Sequence, residues 1–267
     1  MEDKYSDWEV TTNRFVAFID IMGFKDIVQR KKDEEVYSNL KKISDYSNDL
    51  KEIFSRDDIY TEDTIIAKNS FYITSFSDSI IVFSKNDNEL ILKAFTSAVV
   101  GIFTRIIAIG WGAKGVISYG NMTVDIKNSI YFGQPLIDAF LLQENLYYYG
   151  VLFHHTAEKY IKEHNLMDKF LFCFYCNTPI KSGKVKSMNL NWFSFAPESL
   201  NAEKELKEND RKAKEDDRKV MSSIMDKIYL NVSGEPRRYI DNTINIFEEC
   251  IENYYSKRLE KHYESTR

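Results

Sequence analysis

The segment FVAFIDIMGF, residues 15–24, decides the fold of this chain. Residues 15–21 form a short run of strand-forming apolar side chains that is interrupted only by Asp20. The run is too short for a helix and predicts a buried strand, and Gly23 then permits a tight turn in which the backbone can approach a ligand. An ionised carboxylate in a buried strand costs free energy unless a neighbouring group compensates its charge, so Asp20 is the first candidate functional residue.

A second segment, FYITSFSDSIIVF at residues 71–83, repeats this pattern of apolar residues around one carboxylate. The small polar residues Ser77, Asp78 and Ser79 predict a tight turn between two strands, with Asp78 at the tip of the hairpin. Two such carboxylates indicate a shared compensating charge, most simply a divalent cation. The alternative is structural: Asp20 is then a buried, hydrogen-bonded carboxylate and Asp78 an ordinary turn residue.

The composition is that of a globular protein with a full hydrophobic core. The chain has 267 residues, of which 43% are hydrophobic and 14% aromatic, so one large domain, or one domain with an appendage, is expected. The net charge of −5 argues against sequence-independent binding to nucleic acid, which requires a basic surface. No uninterrupted apolar run reaches the roughly 18 residues of a membrane span, and the acidic N-terminus lacks the apolar core of a signal peptide. A cytoplasmic protein without membrane contact is therefore expected.

The cysteines and histidines are expected to be structural. The three cysteines are an odd number, and Cys173 and Cys176 form a single CxxC pattern inside the aromatic segment FLFCFYC, which is typical of a strand. The four histidines show no metal-ligand spacing, and His154 and His155 follow an apolar run as strand-end residues.

Hydrophobic periodicity predicts helices that alternate with strands, which is typical of an α/β or α+β sandwich with helices packed on one sheet. Besides the first strand and the hairpin, the predicted strands are residues 114–119, 130–132, 151–153, 170–175 and 189–195. The predicted helices are residues 24–54, 90–109, 136–144 and 156–163.

Three regions are expected along the chain: a polar N-terminal arm at residues 1–13, a main domain at residues 14–200 and a charged helical extension at residues 201–267. The extension begins with a nearly continuous run of charged residues, 203–219, which indicates a solvated helix or a flexible connector. Apolar spacing then predicts two C-terminal helices, at residues 220–230 and 239–255.

Two carboxylates on adjacent strands can hold two divalent cations close together, with the backbone carbonyl of Ile21 as a further oxygen ligand. Such a pair of ions suits chemistry on a nucleoside triphosphate, because one ion lowers the pKa of an attacking hydroxyl while the other neutralises charge on the leaving phosphates. The sequence therefore predicts metal-dependent phosphoryl chemistry at Asp20 and Asp78, with two Mg²⁺ or Mn²⁺ ions as cofactors.

Four segments resemble motifs of the class III nucleotidyl cyclases, the adenylate and guanylate cyclase family. FIDIMGF is similar to the first-strand motif with its metal-binding aspartate, and SFSDSIIVF resembles the hairpin that carries the second aspartate, with Ser77 in place of the usual glycine. KGVISYG is similar to the next core strand, and YFGQPLIDAFLLQE resembles the segment that enters the helix bearing the catalytic Asn and Arg. The resemblance covers residues 14–165 and implies a ferredoxin-like, palm-type fold with a mostly antiparallel sheet. Diguanylate cyclases and palm-type polymerases share a similar order of elements.

The sequence departs from this family at the positions that select the base and stabilise the transition state. Counted from Gly133, the positions of the catalytic Asn and Arg hold Ile137 and Leu141, which cannot hydrogen-bond a ribose or a phosphate. Thr74 stands where adenylate cyclases carry the lysine that reads adenine, and Ile130 stands near the position of the partner aspartate. The Thr74 hydroxyl can donate or accept one hydrogen bond, which suits a smaller pyrimidine.

Three functional hypotheses follow. The first is a cyclase that resembles the bacterial pyrimidine cyclases of anti-phage defence and converts UTP or CTP to a 3′,5′-cyclic nucleotide and pyrophosphate. The second is a catalytically inactive, cyclase-like dimer that serves as a binding or regulatory module, and the third is a palm-type nucleotidyltransferase that makes another nucleotide signal. The presence of both Asp20 and Asp78 favours the first hypothesis, because an inactive protein has no need of two costly carboxylates.

The first hypothesis also assigns the substrate contacts. Asp20 and Asp78 are the catalytic residues and metal ligands, and the ribose 3′-hydroxyl attacks the α-phosphorus in line as pyrophosphate leaves. The residues expected to contact the substrate are Met22, Gly23, Phe24 and Lys25 through their backbone amides, Thr74, and Lys181 in the loop NTPIKSGKVK with Lys184 behind it. Asn189 and Asn191 are further candidates for the base or the ribose. For the two lysines, a solvated hairpin loop is the alternative.

Members of the family form dimers with the active site between the subunits, so the resemblance implies a homodimer with interfacial sites. A residue of the partner subunit can then replace the missing arginine, and Arg14 and Arg105 are the candidates. The C-terminal helices can extend the dimer interface.

Overall fold

The computed structural model of the chain describes residues 4–56, 64–167, 173–193 and 206–265. The strands are β1 (Thr11–Ile21), β2 (Phe71–Phe76), β3 (Ser79–Ser84), β4 (Ala113–Asp125), β5 (Ile130–Phe132), β6 (Gly150–Phe153), β7 (Cys173–Ile180) and β8 (Gly183–Leu190). The helices are α1 (Phe24–Arg30), α2 (Asp33–Ile53), α3 (Glu89–Ala108), α4 (Gln134–Gln143), α5 (His155–Glu163), α6 (Leu206–Tyr229) and α7 (Arg237–Ser265).

In the described part of the chain, the strands form one eight-stranded sheet in the order β2-β3-β1-β4-β6-β8-β7, with β5 paired to β4. All neighbouring strands run antiparallel except β4 and β6, which run parallel. Helices pack against the sheet, and the predicted α+β sandwich with a mostly antiparallel sheet is therefore confirmed.

Strand β1 divides its side chains between the two sides of the sheet. The odd-numbered residues of 15–21 are buried in the main core, against α3. The even-numbered residues face α4, where the ring of Phe18 lies 5.4 Å from the ring of Phe140. This alternation follows from the two-residue period of a strand, and it places Asp20 on the α4 side of the sheet.

Helix α3 is the main core helix on the other side of the sheet. It begins at a cap in which the Asn88 side chain accepts a hydrogen bond of 2.9 Å from the Leu90 N–H. It is long and apolar enough to cross a membrane, but most of it is buried inside the fold. Burial against the sheet thus accounts for its apolar composition.

Strands β2 and β3 form the hairpin that was predicted at residues 71–83. Phe76 pairs with Ser79, so Ser77 and Asp78 alone make the turn. Ser77 adopts a left-handed conformation with φ 58°, as tight hairpin turns require. Asp78 therefore lies at the tip of the hairpin, as predicted.

The single helix predicted for residues 24–54 is wrong in one respect, because the structure has two helices there. Lys31 and Lys32 adopt extended conformations between α1 and α2. Arg30 lies in the last turn of α1, and Asp33 begins the acidic first turn of α2. Basic residues stabilise the C-terminus of a helix and acidic residues its N-terminus, so the break falls where the charge changes sign.

The C-terminal strands differ more from the prediction. Strands were expected at residues 170–175 and 189–195, whereas β7 and β8 form a hairpin whose turn holds Lys181 and Ser182. Residues 183–186 of β8 are exposed, so this strand lacks the apolar signal by which strands are recognised. Two parts of the predicted strands, residues 170–172 and 194–195, lie outside the described residues.

The charged run at residues 203–219 is helical from residue 206 onward, which is one of the two predicted alternatives. The later part of α6 contributes Met225 and Ile228 to the main core, together with Phe247 of α7. The C-terminal helices are therefore packed on the sheet domain.

The N-terminal residues also pack against the sheet. Trp8 is 8% exposed, and its indole N–H donates a hydrogen bond of 3.0 Å to the carbonyl of Asn69. Strand β1 begins at Thr11, so the last residues of the predicted arm belong to the sheet.

The expected structural roles of the CxxC pattern and the paired histidines agree with their positions. Cys173 and Cys176 lie on β7 and form no disulfide. His154 follows β6 directly, which confirms its assignment to a strand end, whereas His155 is the first residue of α5.

Candidate metal and phosphate site

The structure brings Asp20 and Asp78 together at the C-terminal end of β1. The N–H of Ile21 donates a hydrogen bond of 2.9 Å to the backbone carbonyl of Asp78. In the register of β1 and β3, Asp20 pairs with Ser79, the residue that follows Asp78. Both carboxyl groups belong to half-buried residues, so the two sequence segments that predicted them form one site.

Lys114 is a third charged residue of this site, and the sequence analysis missed it. It is the cross-strand partner of Asp20 on β4, and directly opposed residues project from the same face of a sheet. Lys114 is only 6% exposed. On its other side it pairs with Gly150 of β6, where the ring of Tyr148 fills the space that a Cβ at Gly150 would occupy. Lys114 therefore lies between a carboxylate on one neighbouring strand and an aromatic ring beside the other.

The charges of the site act on one another. Burial raises the pKa of the Asp20 carboxyl to about 6; the Asp78 and Glu144 carboxylates act in the same direction, and the Lys114 ammonium opposes them. Burial lowers the pKa of Lys114, whereas Asp20 and Glu144 raise it. A buried carboxylate beside a second carboxylate is destabilised until a cation reaches it, so the site favours cation binding.

Glu144 and Lys181 lie at the border of the site. Glu144 is exposed and follows α4 directly. The N–H of Lys181 donates a hydrogen bond of 2.9 Å to the carbonyl of Asn145, which holds the β7–β8 turn beside the end of α4. The Lys181 charge lowers the pKa of Lys114, so this predicted phosphate-binding lysine lies within electrostatic range of the site. Lys184 is exposed on β8, and its contact with the substrate stays a prediction.

The donors at Asp20 and Asp78 suit a hard divalent cation. Mg²⁺ takes carboxylate and carbonyl oxygens and commonly completes its coordination with waters and substrate phosphates. Within residues 4–56, 64–167, 173–193 and 206–265, no group of three or more His, Cys, Asp or Glu side chains is arranged to hold a metal ion. An ion at this site must therefore take its other ligands from the backbone, such as the Ile21 carbonyl, from water or from the substrate.

The start of α1 follows Asp20 closely. Gly23 adopts a left-handed conformation with φ 68°, and a Cβ there would meet nothing within 4 Å, so the turn requires this glycine for its backbone conformation alone. The N–H of Met22 donates a hydrogen bond of 2.8 Å to the carbonyl of Gly112, so its predicted phosphate contact is not supported. The amides of Gly23, Phe24 and Lys25 stay the predicted phosphate donors, because the first amides of a helix have no acceptor within it.

Thr74 lies on the same face of the sheet as Asp20 but two strands away. It is opposite Ile81 of β3, which in turn is opposite Phe18 of β1. From the spacing of strands, its Cα lies roughly 12 Å from that of Asp20. This separation allows a nucleotide to reach Thr74 with its base while its phosphates lie near Asp20, and the contact stays a prediction.

The α4 positions that lack the polar residues of the cyclase family lie on the surface. Ile137 is 51% exposed and Leu141 53% exposed, and Phe140 between them is 45% exposed. We call these three residues the α4 apolar face. Ile130 on β5 is also largely exposed and offers no hydrogen bond to a base.

Neither arginine that was considered as a replacement lies at the site of its own subunit, and a contribution of the partner's Arg105 stays a prediction. Arg14 is fully buried, and its guanidinium donates hydrogen bonds to the carbonyls of Ser84 and Glu9. It precedes Asp20 on β1 by about 20 Å. Arg105 lies in the last turn of α3, on the opposite side of the sheet from Asp20.

The two asparagines considered for the base or the ribose have structural roles. Asn189 is buried. Its side-chain oxygen accepts a hydrogen bond from the Tyr148 hydroxyl, and its side-chain NH₂ group donates one to the Thr178 hydroxyl. The Asn191 side chain accepts a hydrogen bond of 3.2 Å from the N–H of Phe193. Their predicted contact with a nucleotide is therefore not supported.

A cleft of about 560 Å³ lies at the other end of β1, near Thr12. Its further lining residues are Glu9, Ile66, Asn86, Asp87, Asn88, Glu89, Tyr160, His164 and Leu166. None of the predicted site residues lines this cleft, so it is separate from the site at Asp20.

Comparison with solved structures finds adenylyl and guanylyl cyclases. The guanylate cyclase domain of RhGC from Catenaria anguillulae, solved in complex with GTP, has 13% identity and a TM-score of 0.45, over 67% of this chain and 96% of that one. The adenylyl cyclase CyaB from P. aeruginosa has 15% identity and a TM-score of 0.48, over 72% and 99%. A bacterial light-regulated adenylyl cyclase has 11% identity and a TM-score of 0.46, over 68% and 91%. No family model and no curated protein matches the chain.

The raised pKa of Asp20 predicts that Asp20→Asn stabilises the metal-free protein at neutral pH. The folded protein holds the Asp20 proton more tightly than the unfolded chain, so stability falls as the pH rises from about 4 to about 6. At pH 7.5 the substitution is expected to raise the free energy of unfolding by on the order of 1 kcal/mol, after allowance for solvent screening. The melting temperature is then expected to rise by about 2–4 °C.

This prediction is measured by thermal unfolding with a chelator at pH 4 and pH 7.5. The exposed Asp49 of α2 provides the control variant Asp49→Asn, which is expected to leave the melting temperature unchanged. A wild-type protein that melts above the Asp20→Asn variant at pH 7.5 would contradict the electrostatic description of the site.

Proposed function

We propose that this chain is a metal-dependent nucleotidyl cyclase, a phosphorus–oxygen lyase that converts a ribonucleoside triphosphate to a 3′,5′-cyclic nucleotide and pyrophosphate. The observation that carries the proposal is the hydrogen bond from the Ile21 N–H to the Asp78 carbonyl, which fixes the FIDIMGF strand beside the SDS turn. It supports a joint site for the carboxylates of Asp20 and Asp78, in which the Asp78 carboxylate disfavours the charged form of Asp20.

The chain's residues then have distinct tasks. Two Mg²⁺ or Mn²⁺ ions, when bound, supply Lewis-acid activation of the 3′-hydroxyl and charge neutralisation on the phosphates. Asp20 and Asp78 would hold these ions through their carboxylates. The amides at the start of α1 donate to phosphate oxygens, and Lys181 offsets charge on the triphosphate. The 3′-oxygen bonds to the α-phosphorus, the bond to the pyrophosphate oxygen breaks, and the hydroxyl proton passes to solvent.

The proposed enzyme prefers substrates that carry a pyrimidine base. Thr74 and Ile130 stand where purine-reading cyclases carry a charged pair, and neither provides the two directed hydrogen bonds that adenine recognition uses. UTP or CTP is therefore the proposed substrate and cyclic UMP or cyclic CMP the product. The resemblance to pyrimidine cyclases extends the proposal to a cytoplasmic signal generator in anti-phage defence.

The α4 apolar face supports a homodimer with interfacial sites. Ile137, Phe140 and Leu141 expose large apolar side chains on the sheet face that carries Asp20. Phe76 is 86% exposed. It pairs with Ser79 of β3, which on its other side pairs with Asp20 of β1. Exposed apolar surface of this kind is commonly covered by a protein partner, and a second copy of this chain would complete the nucleotide site from that side.

An inactive, cyclase-like binding module is the second candidate. The observation that favours it is the apolar character of Ile137 and Leu141, since these positions supply no transition-state contact. Such a module would bind a nucleoside triphosphate with metal at Asp20 and Asp78 and release it unchanged.

Incubation of the purified protein with each of the four ribonucleoside triphosphates and Mn²⁺ tests the proposal, with products identified by mass spectrometry. A 3′,5′-cyclic pyrimidine nucleotide and pyrophosphate in equal amounts are expected from UTP or CTP, with ATP and GTP turned over at least ~10-fold more slowly. No cyclic product from any substrate, under conditions in which a known cyclase works, would leave the binding module as the better account. Equal turnover of all four would contradict pyrimidine specificity.

A further inference from the structure

We propose that Asn242 and Thr243 of α7 are positioning residues of the nucleotide site and act on it through residues 145–149, the segment between α4 and β6; this inference rests on the proposed function. The segment contains none of the predicted substrate contacts, but it touches the backbone on both borders of the site. The C-terminal extension would then take part in substrate binding.

Tyr147 connects α7 to the strand that leads to Lys181. The carbonyl of Tyr147 accepts a hydrogen bond of 2.6 Å from the side-chain NH₂ group of Asn242. Its hydroxyl donates one of 3.0 Å to the carboxylate of Glu235, just before α7. Its N–H donates one of 3.1 Å to the carbonyl of Pro179, two residues before Lys181. A change at Asn242 therefore reaches the β7–β8 turn through a single residue.

Tyr149 depends on Thr243 for its backbone hydrogen bond. Thr243 is fully buried, and its hydroxyl accepts a hydrogen bond of 2.8 Å from the Tyr149 N–H while it donates one of 2.6 Å to the carbonyl of Tyr239. The rings of Tyr149 and Tyr239 are stacked, with centroids 5.6 Å apart. Because Tyr149 is only 2% exposed, water cannot replace the Thr243 hydroxyl as its acceptor without a local rearrangement.

The ring of Tyr149 in turn supports the turn that follows Asp20. It occupies the space that a Cβ at Gly112 would need, so ring and backbone are in close contact there. The carbonyl of Gly112 accepts the hydrogen bond of 2.8 Å from the N–H of Met22. Met22 lies between Asp20 and the first amides of α1, so a displacement of Tyr149 shifts this border of the site.

Helix α7 thus holds the two borders that carry the predicted phosphate donors. One border is the β7–β8 turn with Lys181, and the other is the start of α1. Donors that are fixed before the substrate arrives need no reorganisation when it binds, and a displacement of about 1 Å can cost on the order of 100-fold in rate. Loss of the α7 contacts is therefore expected to weaken phosphate binding.

The competing explanation is that Thr243 only stabilises the fold, and Ser84 provides a matched control for it. The buried Ser84 hydroxyl accepts a hydrogen bond of 2.8 Å from the Phe15 N–H and donates one of 2.8 Å to the carbonyl of Asn86. Ser84→Ala therefore removes the same pair of bonds as Thr243→Val. It does so beside Phe15, roughly 17 Å from Asp20 along β1.

The test compares Thr243→Val, Thr243→Ser, Asn242→Ala and Ser84→Ala with the wild type at saturating Mn²⁺. Calorimetry measures the affinity for inorganic tripolyphosphate with Mn²⁺, and a product assay measures kcat and KM separately. Thr243→Val and Asn242→Ala are expected to bind tripolyphosphate at least ~10-fold more weakly and to raise KM by a similar factor, with a smaller effect on kcat. Thr243→Ser keeps the hydroxyl and is expected to stay within ~3-fold of the wild type. Ser84→Ala is expected to lower the melting temperature but to keep the affinity and KM.

Melting temperatures establish which variants fold, and Asn242→Ala, at a half-buried residue, decides the matter if Thr243→Val does not fold. Tripolyphosphate affinity and KM within twofold of the wild type in the folded variants would overturn the inference. An equal loss in Ser84→Ala would overturn it as well, in favour of general destabilisation. A wild type that makes no cyclic nucleotide, together with a Thr243→Val variant that binds tripolyphosphate more weakly, would contradict the proposed function and support the positioning role of α7.

Discussion

Asp20→Asn and Asp78→Asn are each expected to reduce cyclic nucleotide formation by at least ~1000-fold, which corresponds to about 4 kcal/mol of transition-state stabilisation. Asn keeps the size of the side chain but loses the negative charge that binds a divalent cation. The two residues belong to different segments of the chain, and the hydrogen bond between Ile21 and Asp78 holds them together. If the site needs both carboxylates to hold its ions, the double variant is expected to lose no more activity than either single variant.

The control for this experiment is Asp49→Asn, an equivalent change at an exposed position on α2. Each variant is compared at saturating Mn²⁺ with the same substrate, and its folding is verified by circular dichroism. Asp20→Asn is expected to melt above the wild type without metal, so a loss of its activity cannot be attributed to instability. Turnover near the wild-type rate in either variant would show that these carboxylates do not hold the catalytic metals.

Leu141→Glu is expected to convert the proposed dimer to a monomer and to lower its turnover by at least ~100-fold. Leu141 is 53% exposed in the α4 apolar face, and a carboxylate there must be buried without a partner when a second copy covers that face. If the nucleotide site is completed by the partner subunit, loss of the dimer removes part of each active site. Sedimentation velocity measures the mass, and the product assay measures the activity of the same sample.

Ile53→Glu is the matched control, because Ile53 is 46% exposed on α2, on the other side of the sheet. This variant is expected to keep both the dimer and the activity. A Leu141→Glu protein that remains dimeric and active would contradict an interface at α4. A wild-type protein that is monomeric and fully active would contradict the interfacial site altogether.

The central strands of the sheet could be predicted because the sequence features that indicate them are local. The segment at residues 15–24 combines strand-forming residues with a terminal glycine, and the SDS turn lies between two apolar strands. Each feature is decided by a few neighbouring residues and their intrinsic preferences. For the same reason, the pairing of Asp20 with Asp78 was predicted from two segments, without knowledge of the register.

Lys114 was missed because its role depends on the register between strands. In the sequence KGVISYG it precedes an ordinary apolar strand, and its position opposite Asp20 appears only when β1 and β4 are aligned. An unusual charge at the start of a strand predicted to be central would have been the signal to follow. The unsupported expectation for Asn189 has the same origin, because its hydrogen bonds are made with Tyr148 and Thr178, which are distant in sequence.

The most direct test of a two-metal site at Asp20 and Asp78 is a crystal structure with Mn²⁺ and 3′-deoxy-UTP or 3′-deoxy-CTP, which lack the attacking hydroxyl. The anomalous scattering of manganese locates the ions independently of the protein density. Two peaks are expected, each about 2.1 Å from carboxylate oxygens of Asp20 and Asp78 and each in contact with the triphosphate. A nucleotide bound with its manganese ions away from both aspartates would contradict the account.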